Sequence, residues 1–188
     1  MVFTLSEIIQ IGITIVAIGF IFSGYIKRNP VDHIESMLSS RFSGLFNWSD
    51  FKFSVMIVAP AIILHEFGHK FAGIALGFSS HYEMFPFGLG LGVFLRVIGS
   101  GFLLFAPGYV VIQGADKINM AMIAFAGPLV NLILFAASWA AIESGKFRKH
   151  TRALYISKQI NLWLFIFNMI PFGPLDGAKV LAGILSAL

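Results

Sequence analysis

His65 and His69 stand four residues apart in His65-Glu66-Phe67-Gly68-His69. On a helix that spacing puts both imidazoles on one face, one turn apart. Two imidazoles so placed can bind one zinc ion, and a catalytic zinc takes a third protein ligand and keeps one position open. Glu66 would lie near a water in that position, where it is the natural general base. The alternative is a pair of satisfied histidines at a helix end, but burying a Glu between them in apolar sequence costs several kcal/mol and calls for a reason. The chain has no cysteine, so a metal must be held by His, Asp or Glu, and no disulfide or thiolate nucleophile exists. The acidic residues are Glu7, Asp32, Glu35, Asp50, Glu66, Glu83, Asp116, Glu143 and Asp176, most of them in connections or at span ends. Asp176 is the exception. It follows a long apolar run and is either a third ligand or a capping carboxylate just past the bilayer.

The elements that must position these groups are apolar. Of 188 residues, 57% are hydrophobic and 12% charged, with a mean hydropathy of +0.86. That balance excludes a disordered chain and leaves too much apolar surface for a water-soluble globule of this length. The class is a polytopic membrane protein. The net charge of +4 and sequence pI near 9.5 are then loop charge that sets orientation, and nucleic acid is not an expected partner.

Ile8–Ile26 is the first expected span, and with no basic region before it, it reads as a retained helix rather than a cleaved signal. Phe53–Phe78 is the second and carries the His pair. Asn119–Ile142 is the third. The fourth runs from about Leu154 through Ile170 into Pro171-Phe172-Gly173-Pro174-Leu175-Asp176-Gly177. The connections 27–52 and 143–158 are both basic, so the positive-inside tendency puts them on one side. Residues 79–118 must then cross an even number of times, which favours a re-entrant or surface-lying hairpin over a single span. The second and fourth spans run parallel. His65 falls roughly 18 Å below its entry, and Asp176 at most roughly 30 Å below its own, less where Pro171 and Pro174 bend the helix. Both lie in the half of the membrane away from the basic connections. No repeat or low-complexity linker divides the chain, so 1–188 reads as one domain. Among other polar residues, Asn168 reads as a donor to substrate. Asn131 divides evenly between that role and an interhelical hydrogen bond. Arg96, His81 and His150 read as structural or surface groups.

The chain resembles the site-2 protease family of intramembrane zinc metalloproteases, in a short form like its archaeal and bacterial members. The matching pieces are HEFGH at 65–69, AGPLVN at 126–131 and NMIPFGPLDG at 168–177, in the order of that family's three-helix catalytic core, covering about residues 53–180. The resemblance implies an all-α membrane protein of about four transmembrane helices, with a membrane-associated hairpin or sheet between the second and third. It implies one zinc per chain on His65, His69 and Asp176, with Glu66 activating water. Asn168 and Pro171 would contact an unwound substrate, with Asn131 near the site. The activity it implies is regulated intramembrane proteolysis of membrane-anchored proteins, by a multi-pass protein of a prokaryotic plasma membrane. The two further spans and the PDZ or CBS domains of many relatives are lacking. Family orientation keeps the zinc nearer the cytosol, against the positive-inside count, and is preferred here. Two rivals stand beside this reading. A membrane protease of the prenyl-protein type would take its third ligand from a later Glu, for which only Glu83 and Glu143 are available. A zinc-binding scaffold would have no use for Glu66.

Overall fold

The computed structural model describes residues 2–28, 46–101 and 106–188. Asp32 and Glu35, in the first basic connection, lie outside the described residues.

Three of the helices start earlier than the apolar runs suggest, because a polar cap sets the first turn. Helix α1 spans Leu5–Phe22. The Glu7 amide donates to Thr4 Oγ1 at 3.2 Å, and the Glu7 carboxylate accepts the Thr4 amide at 2.8 Å. This reciprocal capping box, Thr-x-x-Glu, starts the helix ahead of the expected Ile8. Helix α2 spans Trp48–Ala75, where Asn47 Oδ1 accepts from the amides of Ser49 and Asp50. Asp50 and Lys52 therefore belong to the helix and not to the connection before it.

The stretch after α2 forms strand β1 (Ser79–Met84), helix α3 (Pro86–Val97) and strand β2 (Gly108–Gln113), and the two strands pair. At 12 residues α3 is about 18 Å long, well short of the roughly 30 Å hydrocarbon core. The glycines Gly88, Gly90 and Gly92 argue against a helix by propensity. Packing overrides them: Gly88 lies against the Ala106 backbone, and Leu89 is buried.

Helix α4 spans Lys117–Glu143, capped by Asp116, whose Oδ1 accepts the amides of Ile118 and Asn119 at 2.9 Å each. The Asn119 amide, joined by its side chain and the Ile118 amide, holds the Asp116 carboxyl below the usual range. Helix α5 covers Thr151–Asn168, and α6 covers Asp176–Ser186. Between them the chain breaks at Pro171 and Pro174, with Gly173 in the left-handed region at φ 61°.

Among the described residues three helices, α1, α2 and α4, are long and apolar enough to cross a membrane. The expected fourth run begins about three residues into α5 and outlasts it. Arg152 and Lys158 fall inside the helix, and the apolar residues Met169 and Ile170 fall after it.

The described residues form two compact units. The first takes residues up to Ala59 and Glu83–Tyr109, where α1 packs on α3. Ile18, Ile21, Phe53, Ile57 and Val58 belong to its core. The second takes Pro60–Tyr82 and Val110–Leu188, where α4 packs on α5 and α6. Every candidate site residue belongs to this second unit. Its surface and interior invert the soluble pattern: Leu64, Met122, Phe125, Leu129 and Ile133 face outward, while Asn131 and Asn161 are buried. Apolar groups outside and hydrogen-bonded polar groups inside suit a helix packing in lipid.

Candidate metal centre

Helix α2 delivers His65 and His69 to one face, with ring centroids 4.7 Å apart and their Nε2 atoms 3.1 Å apart. Each ring is held from behind. His65 Nδ1 meets Asn131 Oδ1 at 2.6 Å, and His69 Nδ1 meets the Ile123 carbonyl at 2.8 Å. A carbonyl only accepts, so these partners assign the proton to Nδ1 in both rings and leave both Nε2 lone pairs facing inward. Pro128 helps explain why a carbonyl of α4 is turned to this use. It has no N–H for Ala124, and its ring crowds that carbonyl, which loosens the turn containing Ile123.

Asp176 arrives from the start of α6. Its Oδ2 lies 3.3 Å from His65 Nε2 and 3.1 Å from His69 Nε2. All three residues are buried, and each offers one ligand atom within 4.8 Å of the others. Three lone pairs converging in an interior shielded from water repel one another unless a cation lies between them. The spacings are compatible with zinc. With Zn–N near 2.0–2.1 Å, the edge of a tetrahedral site is about 3.3–3.4 Å, close to the three distances found. The other oxygen of Asp176 faces Lys179 Nζ at 3.4 Å, one turn along α6. Asp176 is the first residue of α6, so it stands at a helix terminus as well as against the two imidazoles.

Glu66 is buried beside His65, within electrostatic reach of Asp176 and Lys179. Asn131 is fully buried, and its amide is engaged three ways: with His65, with the Ala61 carbonyl at 2.9 Å and with Asn161 at 2.9 Å. Of the two expectations for Asn131, the interhelical hydrogen bond is the one found. Asn168 and Pro171 are not among the three converging side chains. Asn168 donates to the Leu164 carbonyl one turn back at 3.0 Å, and Pro171 is exposed in the break. The two later glutamates are engaged elsewhere, Glu83 by the Tyr109 hydroxyl and Glu143 by the Trp139 indole.

Three functional positions escape the sequence reading. Asn161 is a polar side chain in an apolar helix and carries the same signal as Asn131 and Asn168. Lys179 is marked by its place three residues after Asp176. Gly127 has no signal of its own: a Cβ there would run into His69 Nε2 and meet His65 Nε2 at 2.9 Å. Only glycine lets α4 approach the two rings. Gly127→Ala is therefore expected to destabilise the chain by about 1–3 kcal/mol, as overpacking does, and to weaken metal binding. Thermal unfolding with and without zinc measures both, and an undiminished zinc-induced shift would show that the rings have room to move.

No family model and no solved structure matches the chain. A protein of Methanocaldococcus jannaschii, provisionally named a zinc metalloprotease, is 31% identical over 185 residues, which are 95% of this chain and 85% of that one. Similarity at that level over nearly the whole of both chains reflects common descent, and the chain belongs to the family of this provisionally named archaeal zinc metalloprotease.

Proposed function

We propose that the chain is an intramembrane zinc metalloprotease of the site-2 protease kind, cutting peptide bonds within or near the transmembrane segments of membrane-anchored proteins. One observation carries the reading: two imidazoles from a helix long enough to span the bilayer, and a carboxylate from a distant helix start, meet within 3.3 Å in the interior.

In this reading His65, His69 and Asp176 hold one zinc. A zinc held there would supply Lewis acidity and would make water acidic enough to act as a nucleophile near neutral pH. Glu66 takes the water proton on a carboxylate oxygen and passes it to the leaving amide nitrogen. Lys179 holds the outer oxygen of Asp176, so that the inner one points at the imidazoles. Asn131 serves His65 rather than substrate. A helical substrate hides its carbonyls in i to i−4 bonds and must unwind locally before attack. Asn168 and Pro171, at the break between α5 and α6, contact the unwound stretch, and a strand edge of β1 or β2 pairs with its backbone. Helix α5 and the break after it make a fourth crossing, and residues 79–113 stay associated with the membrane without spanning it as one helix. The setting is the plasma membrane of a prokaryote.

The test uses the full chain in proteoliposomes with two single-span model substrates. One has a poly-Leu helix, and the other carries two glycines at mid-span. Two glycines ease unwinding by about 2 kcal/mol, a ceiling of about 30-fold in rate. Faster cutting of the glycine substrate, stopped by a chelator and restored by zinc, is the expected result. Cutting of a soluble peptide alone, or cutting indifferent to the chelator, would overturn the reading.

A further inference from the structure

His65, Asn131, Asn161 and Ser157 form one hydrogen-bond chain through the second unit, and its direction is fixed by two backbone carbonyls. Asn131 Nδ2 donates to Ala61 O, and Asn161 Nδ2 donates to Ser157 O at 2.8 Å. Because each carbonyl only accepts, both amide orientations are determined. Asn161 must then present Oδ1 to Asn131 Nδ2, and Asn131 must present Oδ1 to His65 Nδ1. Both asparagines are almost wholly buried, at 0% and 1% exposure, where a cut link has no water to replace it. His69 has no such chain behind it, since its Nδ1 faces a backbone carbonyl directly. The two ligands of α2 thus differ: His69 is held by the backbone of α4, and His65 by side chains reaching back to α5.

We infer that Asn161 is a positioning residue for the metal centre. Acting through Asn131, it keeps the His65 ring in the tautomer and orientation that present Nε2 to His69 and Asp176. Without Asn161, one hydrogen of the Asn131 amide loses its partner, and the amide plane is pinned by Ala61 alone. The plane can then turn, and the bond to His65 turns with it. Helix α5 would so contribute to the site through Asn161, as α6 does through Asp176. The inference rests on the metal-centre reading above.

The experiment measures zinc affinity of the purified, metal-stripped full chain by competition with a chromophoric chelator, alongside unfolding of the metal-free form. Asn161→Leu is expected to weaken zinc about 10-fold, the lower end of the range for groups that orient ligands. Asn161→Ser, whose hydroxyl can still accept from Asn131, is expected to recover part of the loss. In an Asn131→Ala background both substitutions should change affinity less than about twofold, because they act through the side chain already removed. Ser138→Ala cuts a contact to Ser157 at the far end, 3.3 Å long, and should leave affinity unchanged. Wild-type affinity in Asn161→Leu, or an equal loss with Asn131 absent, would overturn the inference, the second outcome marking Asn161 as packing only. If Asn161→Leu does not fold, Asn161→Ser answers through the same cycle. A wild-type chain that binds no zinc would overturn the metal reading itself, which separates the two failures.

Discussion

Glu66→Gln is expected to reduce cleavage of a membrane-embedded substrate by at least about 10³-fold while leaving zinc bound. The substitution keeps the size of the side chain and removes its ability to take a proton. General acid–base catalysis by one positioned group is worth about 10²–10⁴-fold, and Glu66 is asked to act in both directions, from water and to the leaving nitrogen. Glu66 is not one of the three converging ligands, so metal content should be unchanged. Glu66 is buried, and glutamine fills the same volume without a charge to bury, which is why the variant should fold. Initial rates against the glycine-weakened model substrate, with zinc measured on the same sample, decide the matter. A variant that retains zinc and full activity would remove Glu66 from the mechanism. A variant that loses zinc would make it a ligand or a support for one.

Asp176→Ala is expected to abolish tight zinc binding and with it activity. The loss should exceed the roughly 10–100-fold that follows removal of groups merely orienting a ligand. Two effects add here. The site loses its carboxylate among the three converging ligands, and Lys179, 3.4 Å from the outer oxygen, loses its ion-pair partner. Asp176→Asn keeps the shape and loses the charge, so it should lie between wild type and alanine. Chelator competition reads the affinity, and high zinc should restore part of the activity. Glu83→Gln and Glu143→Gln serve as controls, since those carboxylates bind Tyr109 and Trp139. Undiminished zinc in Asp176→Ala, with loss in either control, would favour the prenyl-protease ligand set.

The metal cluster was legible in the chain because its chemistry is expensive where it stands. Histidines, a glutamate and an aspartate inside or after apolar runs are costly groups whose presence calls for a use. Helix starts were less legible. Thr4, Asn47 and Asp116 lie just outside the apolar runs, and hydropathy cannot see a capping oxygen. Residues 79–118 were legible only as a hairpin rather than a single span, because their glycines report only weak preference. Contacts distant in sequence, such as Gly88 against Ala106, chose a short helix between two paired strands. The supports behind the site were hidden for the same reason. Nothing local says that Ile123 will offer its carbonyl to His69, or that Gly127 must be small because two imidazoles lie over it. Asn131 shows the limit at a single residue. Its place in an apolar helix marked it as engaged, but only its partners distinguish a hold on His65 from a contact with substrate.

The central claim concerns where a cation sits. Anomalous diffraction across the zinc absorption edge, from crystals of the full chain grown with one equivalent of zinc, tests it most directly. The expected result is a single peak about 2.0–2.2 Å from His65 Nε2, His69 Nε2 and Asp176 Oδ2. A zinc peak bound elsewhere, or one held by the two imidazoles with Asp176 turned away, would contradict it.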